Sequence, residues 1–498
     1  MTRRAASGRG RGASRFLVRA CAAAVAVALA APAAAYEERV HQLIGERALP
    51  ADVAGAPPAP AGQSDLDELR RATWRAGATH PDAGVRARFL ARFPTEAGFD
   101  AWAWKELLGL TPEARVVGLD VPPAAAASAR DLLAVASRLP DEDRRNVERF
   151  AHAADRHVLR DAAGKPVPLD PAQLDMGALT GLSSQAWAHY GLPEVAFSDS
   201  PDVLKTDPRR WAWPPTAKAF APDMAQSHAD VAIAAATAGT PGGRTLGLTW
   251  LGASHHYLED VANQIHTLQA VYPFFVDAKI ESWKENLLSL WGLLRPRPGF
   301  EEIGLGIIKN HHLFLEDLWG ARSFDAVAGK PSGEGAMAGL RALAEGDAAE
   351  EAALDALRLD PAGPFARIVT AQVVDVSSRE GADVYIAARD VANPRLSKAR
   401  YVYALGTADA ELRPAPDPAR LATFYALEAR GFGRAASAVR RTVRLYEERL
   451  AEAARSEADR AAVRESALRR LVAGSLDALD AADARRAAWL AAKGVTPR

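Results

Sequence analysis

The chain is poor in the features that would settle its class at a glance. It has a single cysteine, Cys21, in 498 residues, so a disulfide framework is excluded and any metal held by the rest of the chain must take His, Asp, Glu or backbone ligands. It has no window of about 20 uninterrupted apolar residues, which excludes an evident membrane-spanning helix. Neither sign of charge dominates, with 61 Lys and Arg against 62 Asp and Glu, so the basic footprint of a general nucleic-acid binder is missing. Histidine is absent from the last 186 residues, since all eleven lie between His41 and His312.

What is present begins at the N-terminus. Six arginines, from Arg3 to Arg19, precede an apolar run from Ala20 to Ala31, which Pro32 and three alanines close. This order is that of a secretory signal peptide, 1–35, with Ala33 and Ala35 at the small-residue positions and cleavage before Tyr36. Cys21 follows Arg19 and precedes most of the apolar run, the reverse of the order a lipoprotein acceptor needs. Cleavage removes the six arginines and takes the formal charge from −1 to −7. The mature protein is therefore expected to be secreted or periplasmic, acidic and free of thiols, with no stable nucleic-acid partner.

A 49% hydrophobic fraction is enough to fill a core. The histidine asymmetry divides the mature chain into 36–330, where metal-capable residues concentrate, and 331–498, with the break in the Gly-rich AGKPSGEGAMAG. Beyond it, Ala, Arg, Glu and Leu at helical spacing predict two or three long helices over 417–493. The stretch AQVVDVSSREGADVYIAARDV, 371–391, reads equally as helix or hairpin, because β-branched residues flank an Arg-Glu-Gly break. In the N-terminal part, Val40, Leu43, Ile44 and Leu49 predict an amphipathic first helix carrying His41.

The densest chemistry lies in SHHYLEDVANQIH, 254–266. On a helix, His256 and Asp260 stand one turn apart on one face, the geometry that lets two side chains hold one ion. His255 pairs with Glu259 by the same spacing, so periodicity alone leaves the register open. A second HxxxE pair, His312 and Glu316, follows in NHHLFLEDLW.

These residues resemble the zinc-dependent phospholipase C and single-strand nuclease superfamily, an all-helical group with three zinc ions in a cleft. The family's signature helix, H-Y-x-x-D-x-x-x-P-x-H, is matched by His256, Tyr257, Asp260 and His266, with Gln264 in place of the proline. In that family the mature chain opens on a Trp whose amino and carbonyl groups bind zinc, and in the nuclease branch a His follows five residues later; Tyr36 and His41 keep the spacing. His312 and Glu316 match the downstream pair. An Asp and a His must complete the set, either Asp82 in GATHPDAG with His189 in AHYGLP, or Asp65 with His80.

The resemblance covers roughly 36–320. It implies an all-α phospholipase C/nuclease-like domain followed by an additional C-terminal helical region. The implied ligands of three Zn²⁺ ions are Tyr36, His41, Asp82, His189, His256, Asp260, His266, His312 and Glu316. The implied activity is phosphoester hydrolysis in which a metal-bound water attacks phosphorus, with Asp82 and Asp260 as the catalytic carboxylates. The acidic mature charge and the aromatics of 271–294 (Tyr272, Phe274, Phe275, Trp283, Trp291) favour a phospholipid headgroup or other small phosphoester, with peripheral membrane contact. The alternatives are a single-strand nuclease or nucleotidase, and a non-catalytic zinc-binding helical envelope protein.

Overall fold

The computed structural model describes residues 38–53, 59–109, 128–142, 189, 191, 221–267, 333–391 and 417–492. Of these, 80% are helical and none is in a strand, which meets the all-α expectation. No helix among them is long and apolar enough to cross a membrane.

Everything is arranged around α8 (Gly243–Ala262), 20 residues long and so about 30 Å from end to end. Nearly every one of its residues is buried, as expected of a helix enclosed on all sides instead of along one stripe. The enclosing helices are α5 (Ala129–Ser137), α7 (Ala221–Ala236), α11 (Phe365–Val391) and α12 (Pro418–Ala453), each packed against it. Small residues make this possible. A Cβ placed on Gly252 would lie 2.5 Å from the Leu133 carbonyl oxygen on α5, so the two backbones meet where no side chain could stand.

α1 (Glu38–Ala48) buries Val40, Leu43 and Ile44, the stripe its spacing predicts. His41 lies on the same side and is 0% exposed, so the first helix turns its histidine inward. The bond pattern of 371–391 is settled as helix: Val369, Val373, Val374, Val384, Ala387 and Val391 are buried along α11, and this three-to-four residue spacing outweighs the β preference of the valines. The long helices expected near the C-terminus number two, α12 and α13 (Glu457–Ala492). Asp417 starts α12 by accepting the Ala419 amide, with Pro418 in the first turn, as helix N-termini favour.

The remaining helices cover this centre. α2 (Gln63–Ala78), α3 (Ala83–Arg92) and α4 (Ala101–Leu108) lie against α13, α6 (Leu139–Glu142) touches α1 and α8, and α9 (Gly333–Glu345) and α10 (Ala348–Ala356) lie against α12. After α8, Asn263 caps the helix and a 3₁₀ turn, Gln264–Thr267, carries His266 against α11.

Candidate metal centre

Two turns before its C-terminus, α8 presents His256 and Asp260 to the same spot, with His256 Nε2 3.3 Å from Asp260 Oδ2. α1 brings His41 to the other carboxylate oxygen, Nε2 to Oδ1 at 3.4 Å, and its ring lies 4.2 Å from that of His256. His189 closes the group: its Nδ1 is 2.5 Å from Asp260 Oδ2 and 2.9 Å from His256 Nε2. One ligand atom from each of His41, His256 and Asp260 lies within 4.8 Å of the others. All four side chains are buried.

The outward nitrogens fix how the rings present themselves. His256 Nδ1–H donates to the Ser137 carbonyl at 2.7 Å, and His41 Nδ1–H to Glu259 Oε2 at 2.7 Å. Each ring has then used its proton on the outer side, so each Nε2 turns a lone pair toward Asp260. Lone pairs and a carboxylate converging in the interior repel unless a cation or proton stands between them. Asp260 Oδ1 is buried without a hydrogen-bond partner among the described residues, a carboxylate oxygen that a cation or a proton would satisfy. Imidazole and carboxylate without thiolate suit Zn²⁺ and its neighbours in the first transition series. The donors present therefore suit a divalent ion.

Burial dominates the electrostatics. It pushes the Asp260 carboxyl well above the ordinary carboxylate range, and the Glu259 carboxyl likewise, with Asp260 adding to the second. The His256 imidazole is pushed well down, first by burial and then by His41 and His189. His255 is also lowered, to about 3, by burial alone. It faces α12 instead, with Nε2 3.0 Å from the Thr442 hydroxyl. The open register of the doubled histidine thus resolves with His256 on the centre and His255 in the core.

His266 stands next to the group. Its Nδ1–H donates to the His189 carbonyl at 3.1 Å, and its own carbonyl accepts the Gly191 amide at 3.1 Å. This pair of bonds holds His189 and Gly191 against the 3₁₀ turn and so delivers His189 to Asp260.

Asp82 is not brought to the centre, and this corrects its assignment as ligand and catalytic carboxylate. It is exposed and caps α3, with Oδ1 accepting the amides of Gly84 at 2.7 Å and Val85 at 2.9 Å. Those two N–H groups hold its carboxyl below the usual range. The Asp-Ala-Gly sequence at a helix start explains the role. The competing pair is occupied elsewhere too. Asp65 Oδ2 accepts the Gly62 amide at 2.7 Å at the start of α2. His80 Nδ1 accepts the Asp82 amide at 3.2 Å. Tyr36, His312, Glu316 and the 271–294 aromatics lie outside the described residues.

Two contributors were not anticipated as parts of the centre: Glu259 and the Ser137 carbonyl, which orient its rings. Tyr257 of the signature packs among His189, His228 and His256 in tilted and edge-on contacts, with ring centroids 5.1, 5.0 and 5.3 Å away. The contiguous Glu-Asp of HHYLED was a signal for Glu259, but only the fold reveals that its partner is His41.

No protein-family model, curated protein or solved structure matches the chain. The centre's chemistry and its sequence pattern are what a functional reading can draw on.

Proposed function

We propose that the chain is an exported zinc-dependent phosphoester hydrolase of phospholipase C type, acting on a phospholipid headgroup or other small phosphoester. The observation that carries the reading is the convergence of His41, His189, His256 and Asp260 on one buried point. A helix pair one turn apart is common, but two further imidazoles arriving from remote segments onto the same carboxylate are not. The resemblance in the sequence counts His41, His189, His256 and Asp260 all among its metal ligands.

In this reading His41 Nε2, His256 Nε2, His189 Nδ1 and Asp260 would hold one ion, with His266 beside them as a ligand of another. Tyr36, His312 and Glu316 would supply ligands for two more. Bound Zn²⁺ contributes Lewis acidity, polarising a phosphoryl oxygen and acidifying a water. The chain's own part is to exclude bulk water, fix the imidazole tautomers and keep Asp260 Oδ1 available to hold a proton. With the ions opposing few carboxylates, the pocket would be locally cationic in an acidic protein, suited to a single phosphate group.

A second reading is a metal-binding helical protein without turnover. The burial of all four ligands favours it. One experiment separates the two. Purified mature protein is analysed for metal and assayed on a chromogenic choline phosphodiester, a nucleotide and a model monoester. Close to three zinc ions with hydrolysis of the choline ester supports the hydrolase; bound zinc without turnover on any of them supports the binding protein. Asp260→Asn should lose metal and activity together, and a variant retaining both would sink the assignment.

A further inference from the structure

Glu259 takes no place among the converging donors, yet it is as buried as they are. Its side chain is 0% exposed, Oε2 accepts the His41 Nδ1–H at 2.7 Å, and Oε1 has no hydrogen-bond partner. It also neighbours Asp260 in sequence, so one turn of α8 supplies both the carboxylate that His41 faces and the carboxylate that His41 leans on. A buried carboxylate is expensive to keep when a neutral residue could fill the space, which asks for a reason beyond packing.

We infer that Glu259 is a positioning residue of the metal centre: it holds His41 in the tautomer whose Nε2 lone pair faces Asp260, and it strengthens that nitrogen as a donor. This rests on the metal-binding reading above. The physical argument is that an imidazole has one proton for two nitrogens in its neutral form, and the nitrogen that keeps the proton is the one offered an acceptor. Without Glu259, the pull of Asp260 on Nε2 would favour the proton there, which would block coordination. Glu259 offers the stronger alternative on the outer side. A carboxylate behind a ligating imidazole raises its basicity and fixes its orientation, and loss of such a partner typically weakens metal affinity by about 10–100-fold. For His256 the same task falls to the Ser137 carbonyl, a neutral acceptor. The rings of His41 and His256 are thus held by a side-chain carboxyl and a backbone carbonyl, and only the first can be removed by substitution.

The test compares Glu259→Gln and Glu259→Ala with the wild type, after far-UV circular dichroism confirms equal helicity. Zinc affinity is read by competition with a chromogenic chelator, and the His41 tautomer by ¹⁵N NMR of histidine-labelled protein in the metal-free state. Glu259→Gln keeps an acceptor oxygen and loses the carboxyl group. It should retain the Nδ1–H tautomer and the zinc stoichiometry, with affinity lowered about 10-fold; Glu259→Ala should shift His41 toward Nε2–H and lose about 100-fold. Wild-type affinity in Glu259→Ala, or an unchanged His41 tautomer there, overturns the inference. A wild-type chain that binds no zinc overturns the metal reading and Glu259's part in affinity, while the NMR comparison still decides whether Glu259 sets the tautomer.

Discussion

Glu428 on α12 carries a charge-bearing group where little compensates it. It is 1% exposed and neither carboxylate oxygen accepts a hydrogen bond. Nearby Glu380 takes the available cations, bonding Arg430 at 2.7 Å, Arg434 and the Gln264 amide at 3.1 Å. Burial, with Glu380 adding to it, raises the Glu428 carboxyl from 4.5 to about 8. Below 4.5 both folded and unfolded chains hold this proton, and the group leaves stability unchanged. Between 4.5 and about 8 the folded chain keeps a proton that the unfolded chain releases, so stability falls as pH rises, and above about 8 the full penalty stands. At ~1.4 kcal/mol per pH unit the penalty has a ceiling of about 5 kcal/mol. Glu428→Gln should therefore match the wild type near pH 4.5 and exceed it increasingly up to about pH 8. Urea melts across that range would check it, and a constant difference between the two proteins would refute it. Residues differ in how legible they are from the sequence for a related reason. His256 and Asp260 announce themselves by spacing, because their partnership is one helical turn long. Glu259 does not, because its hydrogen bond to His41 spans 218 residues. Asp82 misleads, because an acidic residue in a Gly-flanked turn reads as a ligand or as a helix cap, and the backbone amides of Gly84 and Val85 decide for the cap.

At the scale of elements, the helices were readable where a polar face exists and ambiguous where it does not. α1, α12 and α13 alternate apolar and charged residues at helical spacing. α11 was open because valines and an Arg-Glu-Gly step sit in a helix whose neighbours bury much of it. α8 is legible from its ligands alone, since burial all round erases the stripe. Its contact with α5 carries the next prediction. Gly252→Ala adds a methyl 2.5 Å from the Leu133 oxygen and 2.6 Å from the Ala136 Cβ. Alanine gains about 1 kcal/mol of helix propensity, but backbone cannot yield as a side chain would, and overpacking typically costs about 1–3 kcal/mol. The helices should separate, and Ser137, one residue beyond Ala136, carries the carbonyl that orients His256. Gly252→Ala is expected to lower the melting temperature and, on the metal-binding reading proposed above, to weaken the uptake of added Zn²⁺. A variant with normal zinc affinity would show that α5 does not steady the centre.

Over the whole molecule, the histidine asymmetry suggests a metal-binding part and a separate helical tail, yet α11, α12 and α13 lie on the same core as α7 and α8. Composition cannot report this, because the alanine- and leucine-rich faces of a tail helix and of a core helix look alike. The joint between α7 and α13 shows how firm the attachment is. Arg470 grips Asp230 through Nε at 2.9 and 3.1 Å, and Asp230 is 1% exposed. Burial raises the Asp230 carboxyl even against the pull of Arg470, first among its compensating partners and joined by the Gln226 side chain and Arg449. On the surface nearby, Arg88 of α3 also reaches α13, at Asp477 and Asp480, but all three are substantially exposed. Removing Arg470 strands a buried charge and should cost about 3 kcal/mol, whereas Arg88→Ala should cost less than about 1 kcal/mol because solvent screens the pair. Replacing both partners, Asp230→Leu with Arg470→Met, should recover most of the loss, since no buried charge is then left alone. If the tail is part of the structure that holds the centre, then on the metal-binding reading proposed above Arg470→Met loaded with Zn²⁺ should also release it at a lower urea concentration than wild type. Zinc release unchanged while α13 melts early would mean that the C-terminal helices fold apart from the metal centre.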